Sequence, residues 1–251
     1  MSSIVFVAVD DTDIKGSPGT GHIARELAKN LEDLKLGVSL GITRHQLLVD
    51  SRIKYTSKNS SKCIAMKTDA TVSNFYEPSL KFVTNCLQQG ADPGLCICRK
   101  EDVNDEIIDF GIMATRAVLQ KQDAVDLAKK NNIFLKEIGG SGDGVIGALA
   151  GVALRRKGES GRFIELKGIR DIHGLVTVGE IKKLTDIDYV QNVQGKVLDN
   201  REIVDSKDWL RPSLFHEKAV LIVEPINGQN GERLWLSIEK GVGDKWTNGN
   251  K

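Results

Sequence analysis

Three carboxylates, Asp10, Asp11 and Asp13, occupy four consecutive positions directly after the apolar run Ile4 to Val9. Carboxylates crowded this way disfavour one another's ionisation unless a cation or several N–H donors sit beside them, and a site with few protein oxygens suits Mg²⁺. Asp10, Asp11 and Asp13 are therefore the candidate metal ligands. Thr20 follows the turn Ser17-Pro18-Gly19 and opens a helical pattern, so its hydroxyl lies at a helix start, where free N–H groups and the helix dipole favour phosphate. Thr20 and Asp11 are the candidate catalytic residues. A structural reading stays open beside this one, with Asp13 closing an Asx turn and Thr20 capping the helix. The segment "DTDIKG" has Asp at the first and third positions of a calcium loop and Gly at the sixth, but Lys15 at the fifth and His22 at the twelfth exclude an EF-hand. Asp11 and Asp13 also fit the Asp-x-Asp pair of haloacid-dehalogenase phosphatases; Lys15 stands where that pattern has a small hydroxyl residue.

A second loop carries Gly139, Gly140, Gly142 and Gly144 ahead of the small-residue run Val145 to Arg156. Gly142-x-Gly144-x-x-Gly147 matches the dinucleotide fingerprint, with Glu165 about ~20 residues beyond it. Against that reading, the preceding run carries Lys136 and Glu137, and no second mononucleotide half follows. Close helix packing accounts for Gly147 and Gly151, whereas the cluster of Gly139, Gly140, Gly142 and Gly144 points to contact with a nucleotide. ATP held between a metal-bearing acidic loop and a glycine-rich helix start accounts for both sites and indicates phosphoryl transfer. Lys58 and Asn59, in the polar loop "DSRIKYTSKNSSK", are further cofactor contacts, and Arg44, His45 and Ser60 lie near enough in sequence to meet a phosphate or a substrate carbonyl. His22, His173 and His216 read as structural or exposed, and Trp209 of "WLRP" as core packing.

The elements that must position these residues read as mixed α/β. Ile4 to Val9 is a buried strand, and Ile23, Leu27 and Leu31 recur at helical spacing from Thr20 to the break at Gly37. Strands are expected at Val38 to Leu48 and Cys63 to Met66, and helices at Pro78 to Leu87 and, in one piece, about Ile107 to Lys130. Beyond Gly168, short runs such as "LVTVGEI", "AVLIVEP" and "RLWLSIE" between turn residues indicate a smaller β-rich region, followed by a polar tail from Asp244.

Thirty-five Lys and Arg against thirty-four Asp and Glu leave a formal charge of +1, so no global basic excess marks nucleic acid or anionic membrane as partner. The opening apolar run is too short for a signal sequence and no run long enough to span a bilayer follows, which places the chain in the cytoplasm with no membrane partner. Cys63, Cys86, Cys96 and Cys98 are then buried thiols, although Cys96 and Cys98 have the spacing of half a metal clip.

Taken together, the apolar strand with "DDTD", the spaced Thr20, "YTSKNSSKC" from Tyr55 and "GGSGDGVIGALA" from Gly139 resemble the archaeal isoleucine-tRNA agmatidine synthetases, over the first two thirds of the chain. The resemblance implies a kinase-like α/β domain with a ferredoxin-like domain. These form an ATP-binding region over residues 1–167, with an internal boundary near 95–105, and leave residues 168–251 as the β-rich C-terminal region. It further implies that Asp10, Asp11 and Asp13 hold Mg²⁺ and that Thr20 accepts phosphate. In the family's chemistry, ATP phosphorylates the cytidine carbonyl oxygen and agmatine then displaces the phosphate. Two departures stand out: Gly19-Thr20-Gly21 replaces the family's Cys-Thr-Thr, and no cysteine follows Cys98, so a thiol zinc ribbon that would grip tRNA cannot be built. The expectation is a shortened relative: an ATP- and Mg²⁺-dependent phosphoryl-transfer or ligase-type enzyme acting on a nucleoside-like or small substrate, with tRNA a weaker candidate partner. The alternative is a nucleotide-sensing or RNA-associated binding module without turnover.

Overall fold

A computed structural model describes residues 2–56, 58–227 and 233–238, which leaves the polar tail from Asp244 outside the described residues. The chain divides into two compact units, Met1–Lys157 and Gly158–Lys251. The division falls earlier than the boundary expected at 167, because Arg162–Glu165 pairs within the second unit.

The first unit begins with β1 (Ser3–Asp10), α1 (Thr20–Asp33), β2 (Val38–Gln46), β3 (Ser60–Thr68), α2 (Tyr76–Asn85) and β4 (Gly94–Arg99). β1 pairs antiparallel with β3 and with β4, and β3 pairs antiparallel with β2, which gives the order β4-β1-β3-β2 of a ferredoxin-like βαββαβ unit. Val5 to Val9 are all buried because β1 is central and both faces of the sheet are covered. α1 places Ile23, Ala24, Leu27 and Leu31 inward at helical spacing.

The chain continues through α3 (Asp105–Ala114), α4 (Lys121–Lys130), β5 (Phe134–Glu137) and α5 (Gly144–Lys157). β5 adds an edge strand antiparallel to β4, and α3 to α5 cover the face of the sheet carrying Phe6, Ala8, Cys63, Ala65, Cys96 and Cys98. The βαββαβ unit thus closes at Arg99, yet the following helices pack on its sheet and belong to the same compact unit.

The single helix expected from Ile107 to Lys130 is two. Thr115 turns its hydroxyl back to the Ile112 carbonyl at 2.7 Å, and a capping box between Gln120 and Asp123 starts α4 afresh. All four cysteines are free thiols, with Cys63, Cys96 and Cys98 buried and Cys86 half-buried.

The second unit contains β6 (Arg162–Glu165), β7 (Leu175–Thr177), α6 (Val178–Leu184), β8 (Tyr189–Asn192), β9 (Ile203–Asp205), β10 (Ser213–Phe215), β11 (Lys218–Asn227) and β12 (Arg233–Ser237). It is β-rich, with β11 pairing antiparallel to β10 and β12 and parallel to β8, around a core that includes Ile169, Ile181, Leu214 and Trp235. Trp209 packs against this core between the guanidinium groups of Arg170 and Arg211, 4.4 and 4.2 Å from its ring. Among the described residues, no helix is long and apolar enough to cross a membrane.

Candidate functional site

β1 delivers Asp10 to the carboxyl end of the central strand, under the first turns of α5. A Cβ built on Gly147 would lie 1.6 Å from Asp10 Oδ2, and one on Gly151 would lie 2.3 Å from Ser61 Oγ. Only glycine at these positions lets the helix approach the sheet over the carboxylate, so Gly147 serves packing rather than a dinucleotide. β5, the strand before the glycine loop, is an antiparallel edge strand, and Glu165 lies in the second unit with Arg170 on its carboxylate at 3.0 Å. The arrangement is not a Rossmann unit, which requires parallel strands.

Beyond Asp10 the backbone turns sharply. Asp11 has φ of 50°, a conformation that asparagine and aspartate tolerate better than most side chains, and its carbonyl accepts the Asp92 N–H at 3.1 Å. Ser17 closes the next turn, its hydroxyl donating to the Ile14 carbonyl at 3.0 Å, so Asp13 is left to face Thr20. Thr20 is the first helical residue and Gly19 the cap, which overturns the reading of Thr20 as a helix cap. Instead the Thr20 hydroxyl donates to Asp13 Oδ1 at 2.5 Å and accepts the Thr12 N–H at 3.4 Å. Thr12 Oγ1 is buried and has no hydrogen-bond partner.

The two loops singled out in the sequence meet through a residue that sequence reasoning missed. The Asp92 carboxylate accepts the Ser141 N–H at 3.0 Å, the Gly142 N–H at 2.6 Å and the Ser141 hydroxyl. Gly140 (φ 61°) and Gly142 (φ 82°) adopt left-handed conformations to wrap that carboxylate, and a Cβ on Gly144 would lie 2.0 Å from the Asp92 carbonyl. The N–H groups of Ser141 and Gly142 are thus spent on Asp92, and Gly139 lies against Leu87 and Ala91. The only sequence signal for Asp92 was its place in the turn "QGADPG".

Burial dominates the electrostatics. Asp10 is 8% exposed and is pushed up from 3.8 to about 7, chiefly by burial, with the nearby Lys62 ammonium opposing and Asp11 adding. Asp11 rises to about 6, first through burial and then through the Asp92 and Asp13 carboxylates. Lys62 was also missed, because it closes the polar loop read from the sequence yet lies buried inside β3; its ammonium is pushed down by burial, with Asp10 opposing. Among the described residues, no group of three or more His, Cys, Asp or Glu side chains is arranged to hold a metal ion.

One consequence is a stability that falls with pH in the absence of cations. Between 3.8 and about 7 the Asp10 carboxyl holds its proton in the folded chain and releases it in the unfolded one, so stability falls as pH rises through that window. The contribution is of the order of 4 kcal/mol for a shift of this size. Melting curves without divalent cations should therefore show a higher midpoint near about pH 5 than near about pH 8. Asp10→Asn should flatten that slope; an unchanged slope in the variant would assign it to other groups.

The remaining candidates are less central. Thr56 donates its hydroxyl to the Asp13 carbonyl at 2.8 Å and hangs the polar loop over the acidic turn, which brings exposed Lys58 nearby in the chain. Asn59 gives its amide N–H to the Leu48 carbonyl at 2.7 Å and closes the mouth of that loop. His45 is fully buried against Thr43 Oγ1 at 2.8 Å, which removes it as a surface phosphate contact. His173 and His216 are exposed and engaged by the Asp208 carbonyl and the Glu159 carboxylate.

The first unit is thus a ferredoxin-like sheet with an added helical face and a buried acidic turn at the end of its central strand. No protein-family profile matches the chain. Over 154 residues it is 26% identical to an uncharacterized protein of Methanocaldococcus jannaschii, a match covering 60% of this chain and 49% of that protein. Among solved structures it is similar to TiaS in its complex with an isoleucine tRNA and ATP (TM-score 0.53, 24% identity, 60% of this chain and 36% of that one). It is also similar to apo TiaS, the isoleucine-tRNA agmatidine synthetase (TM-score 0.52, 23% identity, 60% and 35%), and to a tRNA fluorescent labeling enzyme (0.52, 24%, 60% and 36%). These likenesses show a shared fold, that of the family the sequence resembles. The chain spans about half the length of the curated relative it matches and about a third of the solved chains.

Proposed function

We propose that the chain is an ATP- and Mg²⁺-dependent enzyme of the phosphoryl-transfer or ligase type, related to tRNA agmatidine synthetase, that activates a carbonyl oxygen of a nucleoside-like or small substrate by phosphorylation. The observation that carries this reading is the buried Asp10 and half-buried Asp11 beside the hydrogen-bonded Thr20 and Asp13. Two carboxylates held well above their usual range, with a buried, unpartnered Thr12 hydroxyl in the same turn, fit a divalent cation that takes its other oxygens from the phosphates of a ligand. Asp10, Asp11 and Asp13 would hold it, and when bound it would offset the charge of the transferring phosphoryl group.

The chain's own residues supply the rest. Asp13 accepts the Thr20 hydroxyl hydrogen along a 2.5 Å hydrogen bond and would take that proton when the Thr20 oxygen attacks the terminal phosphorus of ATP. The bond from that phosphorus to the bridging oxygen would break, with ADP leaving on the electron pair. Asp92 keeps Asp11 in its strained turn through the backbone.

Incubation with ATP and Mg²⁺ followed by mass spectrometry is expected to find phosphothreonine at Thr20. Thr20→Val should abolish it, and Thr20→Ser should retain it. No phosphate on wild type in any such incubation would remove the transfer step. A second reading is nucleotide binding without turnover. It predicts ATP binding with no phosphothreonine. The solved TiaS complexes contain tRNA. The near-neutral formal charge of +1 favours a nucleoside-like acceptor over intact tRNA for this chain.

A further inference from the structure

We propose that Arg44, Ser60 and Lys62 form a phosphate-binding subsite beside the acidic turn, built to take a phosphoryl group of the nucleotide or a phosphate ester on the acceptor. The inference rests on the phosphoryl-transfer reading and deepens it by placing one anionic group.

The register sets the location. Lys62 on β3 stands opposite Val9 on β1 and opposite Arg44 on β2, one position before Asp10 along the central strand. Cross-strand partners share a face, so the ammonium and the guanidinium emerge side by side. Both converge on one hydroxyl: Ser60 Oγ accepts Arg44 Nε at 3.1 Å and Lys62 Nζ at 3.2 Å, and donates its own proton to the Lys58 carbonyl at 3.3 Å. The hydroxyl is thereby oriented as an acceptor between two cations.

Lys62 is 9% exposed, and its Nζ bonds only Ser60 O at 2.6 Å and Ser60 Oγ, two acceptors for three N–H protons. Among the described residues it makes no ion pair. Burying a cation costs several kcal/mol, and a second cation at the same hydroxyl adds to that cost. For Lys62 the Asp10 carboxylate opposes that cost without cancelling it, and a phosphate dianion adds the missing acceptor, with the planar guanidinium and the ammonium each giving charge-assisted bonds. Asp10, Asp11 and Asp13 lie close enough to act on the Lys62 ammonium, so with a divalent cation present the phosphate would be shared between that cation and the Arg44 and Lys62 pair.

Calorimetric titration of the full chain with inorganic pyrophosphate, without divalent cation, tests the subsite independently of the metal reading. Wild type is expected to bind, and Lys62→Met and Arg44→Gln are each expected to weaken binding by about tenfold or more. Asp11→Asn with Asp13→Asn removes negative charge beside the subsite and should retain or strengthen pyrophosphate binding, so a failure of the acidic-turn reading cannot be mistaken for a failure of this one. Half-buried Arg44 carries the test if Lys62→Met lowers folding, which the melting midpoint reports. Two further pairs of ligands identify the source. A Lys62→Met loss seen for ATP but not AMP assigns the terminal phosphates, and a loss seen for cytidine 5′-monophosphate but not cytidine assigns an ester on the acceptor. Pyrophosphate binding that is absent in wild type, or equal in wild type and in both variants, overturns the proposal.

Discussion

Replacing Asp11 and Asp13 together by asparagine is expected to weaken Mg²⁺-dependent ATP binding by at least about a hundredfold, about 2.7 kcal/mol, in calorimetric titration. The substitution keeps shape and removes two of the three charges that a divalent cation would meet at the end of β1. Mg²⁺ takes one or two protein carboxylates and fills its octahedron with phosphate and water oxygens, so neutral amides cannot hold it at the same strength. Asp11 enters already above the usual carboxylate range, raised by burial and then by Asp92 and Asp13. The asparagine variant therefore relieves repulsion and should fold at least as well as wild type. That combination, lost affinity with retained stability, separates a ligand site from a structural turn. Undiminished affinity in the double variant would place the nucleotide elsewhere.

Gly94→Ala is expected to cost about 3 kcal/mol or more of folding stability, measured from denaturant midpoints. A Cβ at this position would lie 2.1 Å from the Gly144 carbonyl oxygen, 2.2 Å from its carbon and 2.4 Å from the Val145 nitrogen, all backbone atoms. The helix start cannot retreat, because Asp92 ties the glycine loop to β4 through Ser141 and Gly142 and ties Asp11 through its carbonyl. Nucleotide affinity should fall with stability, since the same strap holds the acidic turn. Gly16→Ala provides the contrast. Gly16 has φ of 94° but nothing within 4 Å of the added carbon, so the change should cost only about 1 kcal/mol of backbone strain. Equal costs at Gly94 and Gly16 would show that the β4 and α5 contact yields easily.

Several elements were legible because local chemistry decides them. Ile4 to Val9 is unbroken and β-branched, which only a strand covered on both faces uses well, and Val5 to Val9 are buried. Ile23, Leu27 and Leu31 repeat at helical spacing and form the inner face of α1. Elsewhere local signals competed. The stretch from Ile107 to Lys130 has helical composition throughout, yet the break between α3 and α4 is marked only by Gln120 and Asp123, a capping box with an uncommon first residue.

By itself, then, the sequence determined that an acidic turn follows a buried strand, that Thr20 opens a helix close behind it, and that a glycine loop precedes a small-residue helix. These are properties of neighbours in the chain, set by side-chain shape, charge and φ preference. Only the tertiary structure decided that the strands of the first unit pair antiparallel, that Asp92 joins the two loops, and that Lys62 and Arg44 meet at Ser60. It also decided that Gly147 makes room for Asp10 and that Thr20 turns to Asp13 instead of capping its helix. Apart from the local contact of Thr20 with Asp13, each of these depends on partners far apart in sequence. Register between such strands is set by the burial of whole faces rather than by any local run of residues.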